Sequence, residues 1–455
     1  MKKALAFCLL GCAALAAQRI PAPTELPGDP FFIKQTWQVG GSGDTLSYMV
    51  LDPSQLQLFL AYRHAVMVEN VKTGTAAGRI SGTNGAFGIA LDNTGEFGYV
   101  SDGQYNHLDV FDRRTLQVVG VIPTAPNPAT VIFEPVSGLI FAICKVPLSG
   151  KPGTQELAER PWLRTDVAPP PSPNRTSQAK PATRKGQARP AAKEESKKEE
   201  SKSIVTVIDA NSWKALADIQ LPNNVAFAQT AGDGQVYVGI PGQKEIARLD
   251  AEALGERLRR EAPDTQPPAG STPKEMQLRA GQPFDPGPQW LRDPVPTLDW
   301  SGSRSVVENG ASQILFFPLE QECSEPRTLA IDKRHLRLFV ACENMKMEVL
   351  NADTGQLVTS LPTGPNTDAL AYDFDRGLIY AANSGGDGSL TIIRQHVTDS
   401  YAVIQNLPTP HWARTLSFDP VTGLVYLAAD YSDLEGAKRP RDPASRGFQL
   451  LVIGH

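Results

Sequence analysis

Three charged residues stand at one register in the second half of the chain. Arg327, Asp368 and Arg414 each lie five residues ahead of an acid, Asp332, Asp373 and Asp419, and those acids are 41 and 46 residues apart. Glu325, Asn366, His411 and Trp412 lie just ahead of them. Two chemistries suit such a set. An Arg–Asp–Arg ladder ties neighbouring elements together, each charge satisfying the next. Alternatively the set is a half-neutralised site, net positive by one, for a carboxylate or phosphate group, with His411 and Trp412 beside it.

Further catalytic constellations are thin. His64, His107, His335, His396 and His411 fall in separate turns or strands, so no His-rich metal spacing arises and no metal site is read. No G-x-S-x-G elbow, P-loop or dinucleotide fingerprint occurs in a supporting context. Asp387 in SGGDGS (384–389) lacks the alternating acids and terminal Glu of a calcium loop and reads as a glycine-rich turn.

The register is that of a repeated hairpin. Seven copies align: 48–61, 88–101, 130–143, 226–239, 328–341, 369–382 and 415–428. Each is an apolar strand, a turn and a second strand. The turn opens on Asp52, Asp92, Glu134, Thr230, Asp332, Asp373 and Asp419, where a side-chain oxygen can accept backbone N–H groups further round the turn. Seven positions on stands an aromatic every time: Phe59, Tyr99, Phe141, Tyr237, Phe339, Tyr380 and Tyr426. The unit from Arg327 to Leu361 shows the whole repeat, four short strands bounded by turn residues.

A period near 41 residues with four strands per repeat predicts an all-β, seven-bladed β-propeller of four-stranded blades. The last repeat has three strands, 415–419, 424–428 and 449–453, and a spare strand, FFIKQTWQVGG (31–41), precedes the first. Pairing the two completes the seventh blade and leaves no open edge.

Two insertions interrupt the period. Residues 147–202, in blade 3, are rich in Pro, Ala, Lys and Glu, with twelve basic against seven acidic residues. So little apolar surface reads as a disordered loop. Its positive surplus could meet an anionic partner, or could simply be solvated. Residues 251–325, placed after blade 4, hold a short exposed helix (251–262), a Pro-rich passage, Trp290, Trp300 and the apolar run ILFFPLE (314–320). The reading is a lid over one mouth of the ring or a packed extension.

Hydrophobic content of 41% supports a sizeable core, and 38 prolines with 38 glycines supply many turns. A net charge of −5 argues against a general nucleic-acid binder. Residues 1–17 read as a signal peptide, with Lys2 and Lys3, an apolar run from Ala4 to Leu15, and Ala14-Leu15-Ala16 as the cleavage site. Residues 18–455 then form one exported propeller domain, periplasmic or extracellular. In the rival reading LLGC (9–12) is a lipobox and Cys12 carries a lipid anchor. No later apolar run is long enough to span a membrane. Without Cys8 and Cys12, three cysteines remain; Cys323 and Cys342 could be bridged, clipping one hairpin, or all three could be buried thiols.

The phrases TLSFDPVTGLVYLAAD (415–430), LRLFVACEN (336–344), MEVLNADTGQLVTSLPTGPN (347–366) and SIVTVIDANSWKALADIQLP (203–222) resemble the YVTN-type repeats of exported, YncE-like seven-bladed propellers. The literal YVAN strand is nowhere present, and the fourth repeat lacks both the Asp and the Pro. The resemblance implies the fold and leaves the role open, because propellers of this kind serve many. NADTGQLV (351–358) shares part of the quinoprotein repeat without its closing Trp, which disfavours a quinone enzyme.

The expectation is therefore a monomeric, exported binding or interaction module, more a non-enzyme than an enzyme. It needs no cofactor, and its partner is a small anionic ligand or a protein. Two alternatives use the same fold: a lactonase-like hydrolase working through the channel mouth, and an accessory protein of a haem- or quinone-dependent redox system.

Overall fold

The structure is a computed structural model. It describes residues 21–25, 28–39, 46–62, 65–83, 85–147, 201–221, 225, 227–261, 297–299, 314–320, 323–430 and 448–455. Residues 1–17, expected to be a signal peptide, together with His64, Trp290, Trp300 and the centres of both insertions, lie outside these residues, and so do Cys8 and Cys12.

Seven antiparallel sheets form the blades of a seven-bladed β-propeller. Each blade takes four strands in chain order, as in blade 5, where Pro326–Asp332, Arg337–Cys342, Lys346–Asn351 and Leu357–Pro362 run from inner to outer. The inner strands of neighbouring blades touch all round, and the inner strand of blade 7 meets that of blade 1. Closure falls to the strand Phe32–Val39, which pairs antiparallel with Phe448–Gly454 as the outer strand of blade 7.

The core is seven cores. Each hydrophobic cluster draws on two adjacent blades: blades 1 and 2 contribute Phe59, Val68, Val100 and Phe111 to one, and blades 5 and 6 contribute Phe339, Val349, Ile379 and Ile393 to another. A single sheet with both faces apolar cannot fold alone, so stability comes from blade-on-blade stacking. The seven repeated aromatics are all buried in these seams. Room is made where two large groups would collide. Gly98 lies across from Phe111, and Gly239 across from Phe227, with a built Cβ falling 2.2 and 2.1 Å from the respective rings.

The seven turn residues behave as their chemistry requires. Asp52 accepts the amides of Ser54 and Gln55 at 3.0 and 3.2 Å, and Asp332 and Asp373 repeat the pattern in blades 5 and 6. Thr230 uses its hydroxyl for Gly232 at 2.9 Å. Its turn has lost a carboxylate, and Glu134 of blade 3 reaches across to Gly234 at 3.0 Å. The longer acid covers for the missing one.

Strand alternation gives the ring two faces. Inner strands begin at what we call the upper face and end, in the acid turns, at the lower face. Connections from second to third strands, and from one blade to the next, are upper; those from third to outer strands are lower. The insertion in blade 3 joins second strand Leu139–Pro147 to third strand Ser201–Asp209 and leaves from the upper face.

The second insertion differs from its expected placement. Ile314–Pro318 pairs with Glu245–Asp250 as the outer strand of blade 4, so the insertion interrupts that blade instead of following it, and it departs from the lower face. ILFFP is short and apolar, and a long gap hid its membership of the repeat. The helix Ala251–Glu261 is amphipathic where an exposed one was expected. Leu254 and Leu258 fill the seam between blades 3 and 4, while Arg259 holds Asp209 at 2.8 Å and the Ser137 carbonyl at 2.7 Å. Thr297–Asp299 adds a fifth, parallel strand to the outer edge of blade 3. These parts are packed extensions.

Candidate functional site

Arg327, Asp368 and Arg414 open the inner strands of blades 5, 6 and 7 at the upper face. One rung of the expected ladder forms. The Arg327 guanidinium donates to Asp368 Oδ1 from Nη2 at 2.5 Å and from Nε at 3.2 Å. The other Asp368 oxygen accepts the Ser384 hydroxyl. Glu343 stands 4.0 Å from Arg327, at the limit of an ion pair. Arg414 is half-buried and makes no ion pair with any carboxylate among the described residues. The set is therefore an ion pair beside a guanidinium that no carboxylate among the described residues balances.

The connection into blade 7 presents two rings beside Arg414. His411 Nδ1 contacts the Gly386 carbonyl at 2.8 Å, and the His411 and Trp412 rings meet edge to face with centroids 5.0 Å apart. Trp412 has a φ of +63° and is 41% exposed. In blades 3 and 6 the same slot, two residues ahead of the register position, holds Asn127 and Asn366 at φ +57° and +52°. Asparagine tolerates this left-handed conformation, whereas a tryptophan there costs about 1–2 kcal/mol. Trp213, at φ +56°, is instead buried in a blade seam, so the exposed Trp412 differs from it in presenting its indole to solvent.

Asn366 and Glu325 serve through their backbones: their carbonyls accept the amides of Ser384 and Glu343, both at 2.9 Å, which fixes the upper rims of blades 6 and 5. Cys323 and Cys342 are joined by a disulfide, with Cα atoms 5.4 Å apart, clipping the start of blade 5's inner strand to the end of its second strand just beside Arg327. Cys144 is buried outside this bridge, its thiol donating to the Ala142 carbonyl at 3.5 Å.

Elsewhere at this register blade 1 places Ser47 and the next three blades are apolar. Blades 2, 3 and 4 place Phe87, Ala129 and Val225 there, with Phe87 exposed and the Lys145 ammonium 5.7 Å over its ring. Burial pushes the Lys145 ammonium below its ordinary value. The upper mouth thus has a charged sector over blades 5 to 7 and an apolar one over blades 2 to 4. Ser384 and Lys145 escaped the sequence reading. Ser384 sits in the loop taken only as a glycine-rich turn, and its spacing from Asp368, one hairpin away, was the available signal.

The remaining histidines stay apart. His335 contacts Asp332 at 2.7 Å at the lower face, His396 contacts Glu25 at 2.7 Å on the flank of blade 6, and His107 lies in blade 2. No helix among the described residues is long and apolar enough to cross a membrane.

No protein-family model matches this chain, and no curated protein does. Solved structures do match in fold. One described as "Structure of U3-55K" is 6% identical with a TM-score of 0.54, covering 91% of this chain and 98% of its own. "Crystal structure of RRP9 WD40 repeats" is 7% identical with a TM-score of 0.53, covering 96% and 100%. A chain of "Crystal Structure of Mitotic Checkpoint Complex" is 11% identical at 0.53, covering 99% and 98%. At such identities the likeness is one of fold alone, that of a repeat-built β-propeller.

Proposed function

We propose that this protein is an exported binding module of the YVTN, YncE-like kind. Its upper mouth over blades 5 to 7 takes an anionic group of a small ligand or a partner protein. Arg414 is the anchor, Trp412 and His411 supply a flat contact beside it, and the Arg327–Asp368–Ser384 chain holds the wall in place. One observation carries this reading: a half-buried guanidinium with no carboxylate among the described residues to balance it, next to a tryptophan held in a left-handed conformation. A guanidinium donates bidentately to carboxylates and phosphates, which is why an anion is named. Propeller neighbours that include a component of a multiprotein complex fit an interaction role, and the disulfide beside the site fits an oxidising compartment.

The test is calorimetry and thermal melting of the full chain with succinate, citrate and inorganic phosphate, and with a peptide ending in an aromatic residue and a free carboxylate. At least one should bind the wild type, and Arg414→Ala should weaken it by tenfold or more with little change in melting temperature. A large loss of melting temperature in Arg414→Ala, with ligand affinity unaltered or absent throughout, would sink the reading and return the sector to a structural ladder.

A further inference from the structure

We propose that Asp102, His107 and Asp109 form a binding site for one divalent transition-metal ion of the zinc or manganese type, at the upper tip of blade 2. The second and third strands of that blade, Phe97–Asp102 and His107–Asp112, make a tight hairpin whose last pair is Asp102 opposite His107. Asp109 faces Val100 two pairs further down. Side chains alternate between faces along a strand, so 102, 107 and 109 share one face of the hairpin. The connection closes tightly because Asn106 adopts a φ of +59°.

The geometry within this face is that of a donor set. His107 Nε2 lies 3.2 Å from Asp109 Oδ1 and 3.7 Å from Asp102 Oδ2, and one ligand atom from each residue lies within 4.8 Å of the others. Ligands held about 2.0–2.1 Å from a tetrahedral zinc are roughly 3.3–3.4 Å apart, and the two short separations bracket that edge. Asp102 is oriented by its other oxygen, Oδ1, which accepts the Tyr105 amide at 3.1 Å. The Tyr105 ring lies nearly parallel to the imidazole, with centroids 6.1 Å apart. All three ligating side chains are buried, yet Gln104 at the hairpin tip is exposed, so the approach from solvent is short.

Donor chemistry names the class of ion. One imidazole nitrogen and two carboxylate oxygens, with no sulfur, suit zinc, manganese, cobalt or ferrous iron and disfavour soft ions such as cuprous copper. Calcium would want six to eight oxygens. Three protein ligands leave a coordination position for water or an outside group. Bound there, the ion would pin the hairpin tip at the upper face, two blades round the ring from Arg414.

The experiment uses the full chain after chelator dialysis, with zinc chloride and manganese chloride added separately, read by calorimetry and by metal analysis after equilibrium dialysis. One ion per chain at micromolar affinity or tighter is expected, with a rise in melting temperature. His107→Gln and Asp109→Asn should each weaken binding at least tenfold, while His335→Gln leaves it unchanged. No stoichiometric ion in the wild type, or an ion whose affinity both site variants retain, overturns the proposal and leaves a buried His–carboxylate cluster. Should the variants fail to fold, X-ray absorption of the zinc-loaded wild type decides. A shell of one imidazole and carboxylate oxygens supports the site, and a sulfur-containing or all-water shell refutes it.

Discussion

Removing Arg113 should be the most damaging single change on the lower face. Its guanidinium is 4% exposed and joins the turn acids of two blades. Nε donates to Asp52 Oδ2 at 2.9 Å and Nη2 donates to the same oxygen, while Nη1 reaches the Asp92 carbonyl at 3.0 Å and Asp92 Oδ1 at 3.4 Å. Asp52, in blade 1, is 1% exposed. Arg113→Ala would strand that carboxylate without its partner, and breaking a buried pair costs about 3–5 kcal/mol. The unfolding entropy, about 2.1 cal/mol/K per residue, amounts to roughly 0.7 kcal/mol per kelvin for several hundred ordered residues, so the melting temperature should fall by about 4–7 °C. The pH dependence carries a sign that tests the cause. Burial pushes the Asp52 carboxyl up, and the Arg113 guanidinium, the Ser54 hydroxyl and the Gln55 amide outweigh it, leaving the carboxyl below its ordinary value of 3.8. A carboxyl lowered in the folded state contributes stability above its unfolded value, and that contribution is lost as pH falls through the folded one. Calorimetric melting at pH 7 and pH 3 should therefore show the deficit of Arg113→Ala shrinking at acid pH. Arg113→Lys should fall between, since a point charge cannot span both acids. A variant within 1 °C of wild type at pH 7, or a deficit equal at both pH values, would refute the reasoning.

Two further predictions rest on other elements. Cys323 and Cys342 are 19 residues apart, and reducing the bridge or making Cys342→Ser should cost about 3 kcal/mol by loop entropy, read as a lower melting temperature in dithiothreitol and as alkylation of both thiols. Burial and the Asp419 carboxylate push the Tyr426 phenol up to about 12, so the stability it contributes is complete below an unfolded value near 10 and is lost as pH climbs towards 12; absorbance of phenolate near 295 nm should lag in the folded protein, and normal titration near 10 would count against it.

The architecture was legible because its determinants are local and repeated. A turn residue that is acidic in six repeats of seven, with an aromatic seven residues on in all seven, encodes a hairpin whose second strand is sealed in a blade seam. The closing strand was legible because the last repeat is one strand short and the first is preceded by one. Ile314–Pro318 was not, since its partner strand Glu245–Asp250 is separated from it by a long insertion and nothing in five apolar residues says which edge they join. At the upper mouth, the shared register of Arg327, Asp368 and Arg414 followed from the repeat. The division of labour among them did not. Which arginine takes the aspartate depends on side-chain reach between blades, and Ser384 fixes Asp368 towards Arg327. The Asp102–His107–Asp109 group was passed over for a related reason: a search for histidine-rich spacing misses donors that a hairpin brings together from D-x4-H-x-D.

The two faces of the ring differ in how their polar groups are satisfied, and that difference indicates where to look for function. On the lower face the turn acids are consumed internally. They accept turn amides, Arg113 bridges Asp52 and Asp92, Arg376 holds Asp373, and the Tyr372 hydroxyl ties Asp332 of blade 5 to blade 6 at 3.1 Å. Such groups gain nothing from a ligand, because binding one would first have to break contacts already made in a low-dielectric seam. The upper face is built differently. It carries an arginine without a described counter-charge, an indole held out in a conformation that disfavours it, a lysine whose ammonium is lowered by burial over an exposed phenylalanine, and the departure point of the basic insertion. Together these features are the ground on which recognition at the upper mouth is proposed.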